Sequence, residues 1–140
     1  MAANAGPWQR HRGRGLLVAT SLGAGFLLSL IAIRYLVVPE AASLSFGLPK
    51  RPTGHELYYI VGLRNLWLGL LALAFAMLRQ WRALALWFAL AAPVCFADAA
   101  IAAGANGLTW AVAFHGACGV VCAALALVLA RVAAQSLRAS

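Results

Sequence analysis

Four long apolar segments, divided by short polar breaks, take up almost the whole chain. They cover roughly 16–38, 58–78, 83–103 and 108–130. Each holds about 20 residues or slightly more, which at about 1.5 Å per residue crosses a hydrocarbon core of about 30 Å. The expected fold is therefore all-α: an integral membrane four-helix bundle in a multi-pass protein. Composition agrees. Of 140 residues 64% are hydrophobic and 10% charged, with a mean hydropathy of +0.87. A soluble domain of this size needs far more charged surface.

The segments have recognisable ends. Arg10, Arg12 and Arg14 precede the first, as in a secretory signal, but the run is much longer than a signal core and contains Arg34. It reads as a retained anchor helix stopped by Pro39, which cannot continue it. The second segment breaks at Arg79-Gln80-Trp81-Arg82, and the third ends in the turn signal Gly104-Ala105-Asn106-Gly107. One domain results, with residues 16–131 in the membrane, a basic tail at 1–15 and a second tail at 132–140.

The 11 Lys and Arg against three acids give a net charge of +8. Most of these cations flank apolar segments, so they are read as orientation signals and not as a nucleic-acid footprint. Arg10, Arg12, Arg14, Arg79, Arg82, Arg131 and Arg138 fall on one side of a four-span topology, and Lys50 and Arg51 on the other. That bias puts both termini in the cytoplasm. The loop from Pro39 to Leu57 contains Gly47, Pro49, Pro52 and Gly54 and is expected to be irregular and bent. Phe46-Gly47-Leu48-Pro49 either folds back over the bundle mouth as a lid or lies at the headgroups. Trp8, Trp81 and Trp110 sit near span ends as interfacial anchors, whereas Trp67 and Trp87 lie deeper and are expected to pack inside. Ser21, Gly25 and Ser29 recur at four-residue spacing, and with Gly116 and Gly119 they permit close helix approach.

Each segment also carries a residue that lipid rejects: Arg34, Arg64 with Asn65, Asp98 and His115. An ionisable group at a span centre costs roughly 2.5–3.5 kcal/mol even on lenient scales, so such groups gather inside a bundle and mark function. If the helices alternate in direction, all four lie about 6–11 Å below the non-cytoplasmic boundary, from their offsets at 1.5 Å per residue. Asp98 is either a general acid/base or nucleophile, or half of a structural ion pair with Arg64. His115 is either a proton shuttle or a core histidine bonded to Asp98. Arg64 and Asn65 are placed to border a pocket; snorkelling to the headgroups is the other reading for Arg64 and for Arg34. Catalysis is assigned to Asp98, His115 and Arg64, and substrate binding to Asn65, Arg34 and Tyr58. Tyr58 and Tyr59 are alternatively belt residues, with Tyr35 beside Arg34.

Cys95, Cys118 and Cys122 all lie in apolar context and read as small packing residues. Cys95 precedes Asp98 by three residues and Cys118 follows His115 by three, so each shares a face with that polar residue. No His/Cys cluster has zinc-ligand spacing, and neither a metal nor another cofactor is expected.

Pro39 after a long first helix, Phe46-Gly47, Gly62-Leu63-Arg64-Asn65 opening the second span, Asp98 and His115 together resemble the DoxX-like group of small four-helix membrane proteins, in an uncharacterised fungal and bacterial branch. The resemblance covers nearly all of Leu16 to Arg131 and implies mainly the bundle fold. It further implies either redox accessory roles or cyclase, isomerase and epoxide-opening activities in biosynthetic pathways. The expected function is a cofactor-independent acid/base enzyme acting on a lipophilic small molecule. The alternative is a non-catalytic accessory or assembly protein. A proton-coupled exporter ranks last, because the first helix carries Arg34 where small exporters carry an acid. The bilayer is the expected partner, nucleic acid is not, and a homo-oligomer is left open.

Overall fold

A computed structural model describes residues 7–48 and 55–137, with side chains from 13 to 48 and 55 to 136. These residues form five helices: α1 (Pro7–Val37), α2 (Pro39–Phe46), α3 (Glu56–Met77), α4 (Trp81–Asn106) and α5 (Trp110–Leu137). The four longer ones are long and apolar enough to cross a membrane. Two ends depart from the sequence expectation: α1 starts at Pro7, well inside the stretch read as a basic tail, and α5 continues to Leu137, beyond the expected 130. The other ends lie within three residues of it, α4 running through Gly104 to Asn106.

α1 stops where Pro39 denies it a backbone donor, and the same proline opens α2 at a position where a missing N–H costs nothing. The stretch after Pro39, expected to be irregular, is thus helical as far as Phe46. Its prolines and glycines cluster later, at 47–54, and Pro49, Lys50, Arg51, Pro52 and Gly54 lie outside the described residues. α2 closes with Gly47 at φ 97°, where Gly47 N–H reaches the Leu44 carbonyl at 3.1 Å and Leu48 N–H reaches that of Ser43 at 3.2 Å. This Schellman closure needs a left-handed residue, which glycine provides without a Cβ clash. α3 ends the same way with Arg79 at φ 53°. Pro93 sits inside α4 without ending it; membrane helices tolerate such a residue when the surroundings re-satisfy the freed backbone.

Packing is by pairs. α1 lies along α3 and α4 along α5, while contact between the pairs is slight. The small residues of α1 make the first pair close. A Cβ on Gly25 would stand 3.0 Å from the Gly69 carbonyl oxygen, and one on Gly69 would overlap Ser29 Oγ. The stripe read from the sequence is therefore a backbone-to-backbone contact. The pairs meet in one cluster, with Leu17, Ala76, Leu84, Phe88, Ala126 and Leu129 drawn from all four long helices. That cluster fixes one end of the bundle, where α1 begins, α5 finishes and α3 turns into α4. At the opposite end α2 ties the pairs together.

The tryptophans divide differently from expectation. Trp87 packs edge-on to Phe88, with ring centroids 4.9 Å apart, and Trp81 lies against the same cluster. Trp110, 82% exposed, faces outward as an anchor would. Trp67, expected to pack inside, is 71% exposed. α3 turns its small residues, Gly62 and Gly69, toward α1 and leaves this large ring for the bilayer. The side chain of Trp8 lies outside the described residues.

Candidate functional site

The α2 end collects the polar residues. Asp98 on α4 and His115 on α5 are half-buried, and Asp98 lies in coulombic range of both His115 and Arg64 on α3. Antiparallel pairing accounts for this: α4 and α5 reverse direction at Gly107, so Asp98, nine residues before it, returns to about the level of His115, eight after it. Among the described residues Asp98 makes no direct ion pair with Arg64 or His115. Asp98 thus interacts through space with each of the other two without closing into a salt bridge. Asn65 is half-buried beside Arg64, whose own side chain is exposed.

Tyr35 and Tyr58 are each only 6% exposed, and their rings lie 6.3 Å apart. The interfacial-belt reading thus fails for Tyr58 and fits only Tyr59, which is 45% exposed. Tyr35 lies in coulombic range of Asp98 and Tyr58. The Tyr58 hydroxyl is buried with no hydrogen-bond partner. A phenol left unpaired in a dry interior carries a desolvation cost, and a ligand oxygen would relieve it.

α2 covers this layer. Phe46 stacks at 4.5 Å on the His115 ring, and Gly47 fits against the Cβ atoms of Ala102 and Ala111 so closely that its own Cβ would stand 3.1 Å from the latter. Asn106 Nδ2 donates to the Gly47 carbonyl at 2.6 Å. Of the two readings of Phe46-Gly47, the fold-back over the bundle mouth is the one that forms. Arg34 is exposed and donates from Nη2 to Ser45 Oγ at 3.1 Å, so it anchors α2 and does not reach toward Asp98. Just outside, His55 and Glu40 approach at 3.8 Å.

Sequence reasoning missed Asn106, counted only as a turn former, and Ser45. An amide next to a Gly turn has an ordinary local role, and nothing in the spacing signals that its partner lies 59 residues away. Among the described residues no group of His, Cys, Asp and Glu could hold a metal.

Four apolar helices, paired and strapped at one end over a shared polar layer, define a small multi-pass helical membrane protein. The family can be stated as well. The chain belongs to the family described as Domain of unknown function (DUF4267), whose sequence model matches residues 25–129. That range takes in α2 and all the polar residues named above. No curated protein matches the chain, and no solved structure does.

Proposed function

We propose that the protein is a membrane-embedded, cofactor-independent acid/base enzyme acting on a lipophilic small molecule. Asp98 exchanges the proton with the substrate, His115 relays it, and Arg64 with Asn65 orients a substrate oxygen. The Tyr58 hydroxyl, and Arg34 through its hold on α2, complete the binding side. Epoxide opening, cyclisation and double-bond migration all use this inventory in a dry pocket. What supports the reading is that Asp98 on α4 lies in coulombic range of His115 on α5 and Arg64 on α3, at the end of the bundle where Phe46 of α2 packs on the His115 ring. Contact between the two helix pairs is slight, and on this reading a lipophilic substrate enters between them from the bilayer. The likeness to the DoxX-like group fits the same architecture and belongs to this proposal.

The test compares wild type with Asp98→Asn, which keeps the size and hydrogen-bonding capacity of the residue. Organic extracts of cells expressing each are profiled by mass spectrometry, and the purified proteins are melted in detergent. The expected result is an unchanged melting temperature with loss of the wild-type-dependent product by at least about 100-fold, the range of a general acid/base. A variant that fails to accumulate, yet keeps its activity per folded molecule, would show Asp98 to be structural. The assignment of proton exchange to Asp98 would then fail.

A further inference from the structure

The three cysteines are placed more deliberately than packing requires. α4 and α5 run antiparallel in a fixed register: Gly47 rests on Ala102 and Ala111 at one end, while Leu84 and Phe88 share a cluster with Ala126 and Leu129 at the other. Between these levels the Phe96 ring fills the space a Cβ on Gly119 would need, so the helices close tightly there. In that register Cys95 falls opposite the part of α5 carrying Cys118 and Cys122, which are four residues apart and share a face. Cys95 and Cys122 influence each other electrostatically across the interface, and Cys118 lies in coulombic range of both. All three are free thiols and only half-buried.

We propose that Cys95 and Cys122 form a redox-active dithiol, oxidised to a disulfide by a bilayer-soluble quinone. Both S–H bonds break and one S–S bond forms between the two residues. The two electrons and two protons reduce the quinone, which leaves as the hydroquinone. Location selects the oxidant. Val94, Phe96 and Val121, next to the pair in sequence, are all exposed on the outward surface of the bundle, so the thiols are approached through hydrocarbon. A water-borne disulfide carrier cannot enter there, whereas a quinone partitions into the bilayer and accepts both electrons together. Thiol–disulfide chemistry requires access and a second sulfur nearby; the thiols are half-buried, and the helix register sets Cys95 opposite Cys122. The proposal stands independently of the acid/base role given to Asp98.

The experiment uses the full-length protein, reduced and reconstituted in lipid nanodiscs without oxygen, with a decyl-substituted benzoquinone as the probe. The expected result is loss of the mass of two hydrogens, one hydroquinone released per protein, and a non-reducing peptide map joining Cys95 to Cys122. Cys118→Ser behaves as wild type, while Cys95→Ser and Cys122→Ser release no hydroquinone. If wild type keeps three alkylatable thiols, or takes up the quinone as a stable adduct, the proposal is overturned. It is equally overturned if Cys95→Ser still reduces the probe. Should either serine variant not fold, the wild-type peptide map decides alone.

Discussion

At the scale of single residues, what matters is how little room each one has. Gly69 faces Ser29 and the Gly25 carbonyl so closely that a methyl group cannot enter without moving α1. Gly69→Ala is expected to destabilise the protein by about 1–3 kcal/mol, the usual cost of overpacking. Gly116 looks equivalent in the sequence, yet a Cβ there would meet nothing within 4 Å. Gly116→Ala should be neutral or stabilising by up to about 1 kcal/mol, because glycine is a poor helix former. Thermal unfolding of both variants in one detergent checks the contrast, and equal losses would contradict the packing described. Asp98 belongs to this scale too. Its depth and its type were legible from the sequence, but its lack of a direct ion pair was not, because side-chain reach depends on how far apart the two helix pairs stand.

At the scale of elements, the caps and the strap carry the argument. Arg79 occupies a left-handed position that disfavours any residue with a Cβ by about 1–2 kcal/mol. Arg79→Gly should therefore raise stability by about 1 kcal/mol, measured by denaturation of the reconstituted protein; a loss would mean that the Arg79 side chain holds the turn. α2 is held by three weak points: Asn106 on Gly47, Phe46 on His115 and Arg34 on Ser45. Asn106→Ala is expected to speed amide hydrogen exchange over residues 39–46, with little change at the helix-pair cluster around Leu84 and Leu129. Uniform loss of protection across the molecule would show that α2 and the bundle unfold as one unit. The sequence marked where α2 begins, through Pro39, and hinted at its closure through Gly47. It gave no warning that the intervening stretch is helical, since the Pro and Gly clustered at 47–54 lead the whole connection to be read as irregular and mask the two regular turns before them.

At the scale of the molecule, the architecture is two helical hairpins fastened at both ends and loosely joined between. The fastening at one end is apolar and rigid; at the other it is a short helix over polar groups. In this even-numbered arrangement α1 begins and α5 finishes at the same end of the bundle, beside the α3–α4 turn. From the charge bias of the sequence, that end is expected to face the cytoplasm. Single cysteines at Arg14 and Arg82, introduced into a chain lacking its own thiols, should be labelled by an impermeant maleimide only in inverted vesicles, whereas one at His55 should be labelled only in right-side-out vesicles. Labelling of Arg82→Cys and His55→Cys from the same side would refute the four-span topology.

The apolar segments, their lengths and their proline and glycine boundaries determined the class of fold by themselves, because a backbone in hydrocarbon has to satisfy its own hydrogen bonds and only helices of that length can do so. Alternation in direction likewise led to the expectation that Asp98, His115 and Arg64 share one end of the bundle, and Asp98 does lie in coulombic range of the other two. Only the tertiary structure decided which helices pair, that Trp67 faces out while Tyr58 is enclosed, that Arg34 serves α2, and that Cys95 meets Cys122. Those outcomes turn on the rotation of each helix about its own axis. In a segment apolar on all sides, no hydrophobic stripe records that angle, and close packing against particular neighbours sets it instead.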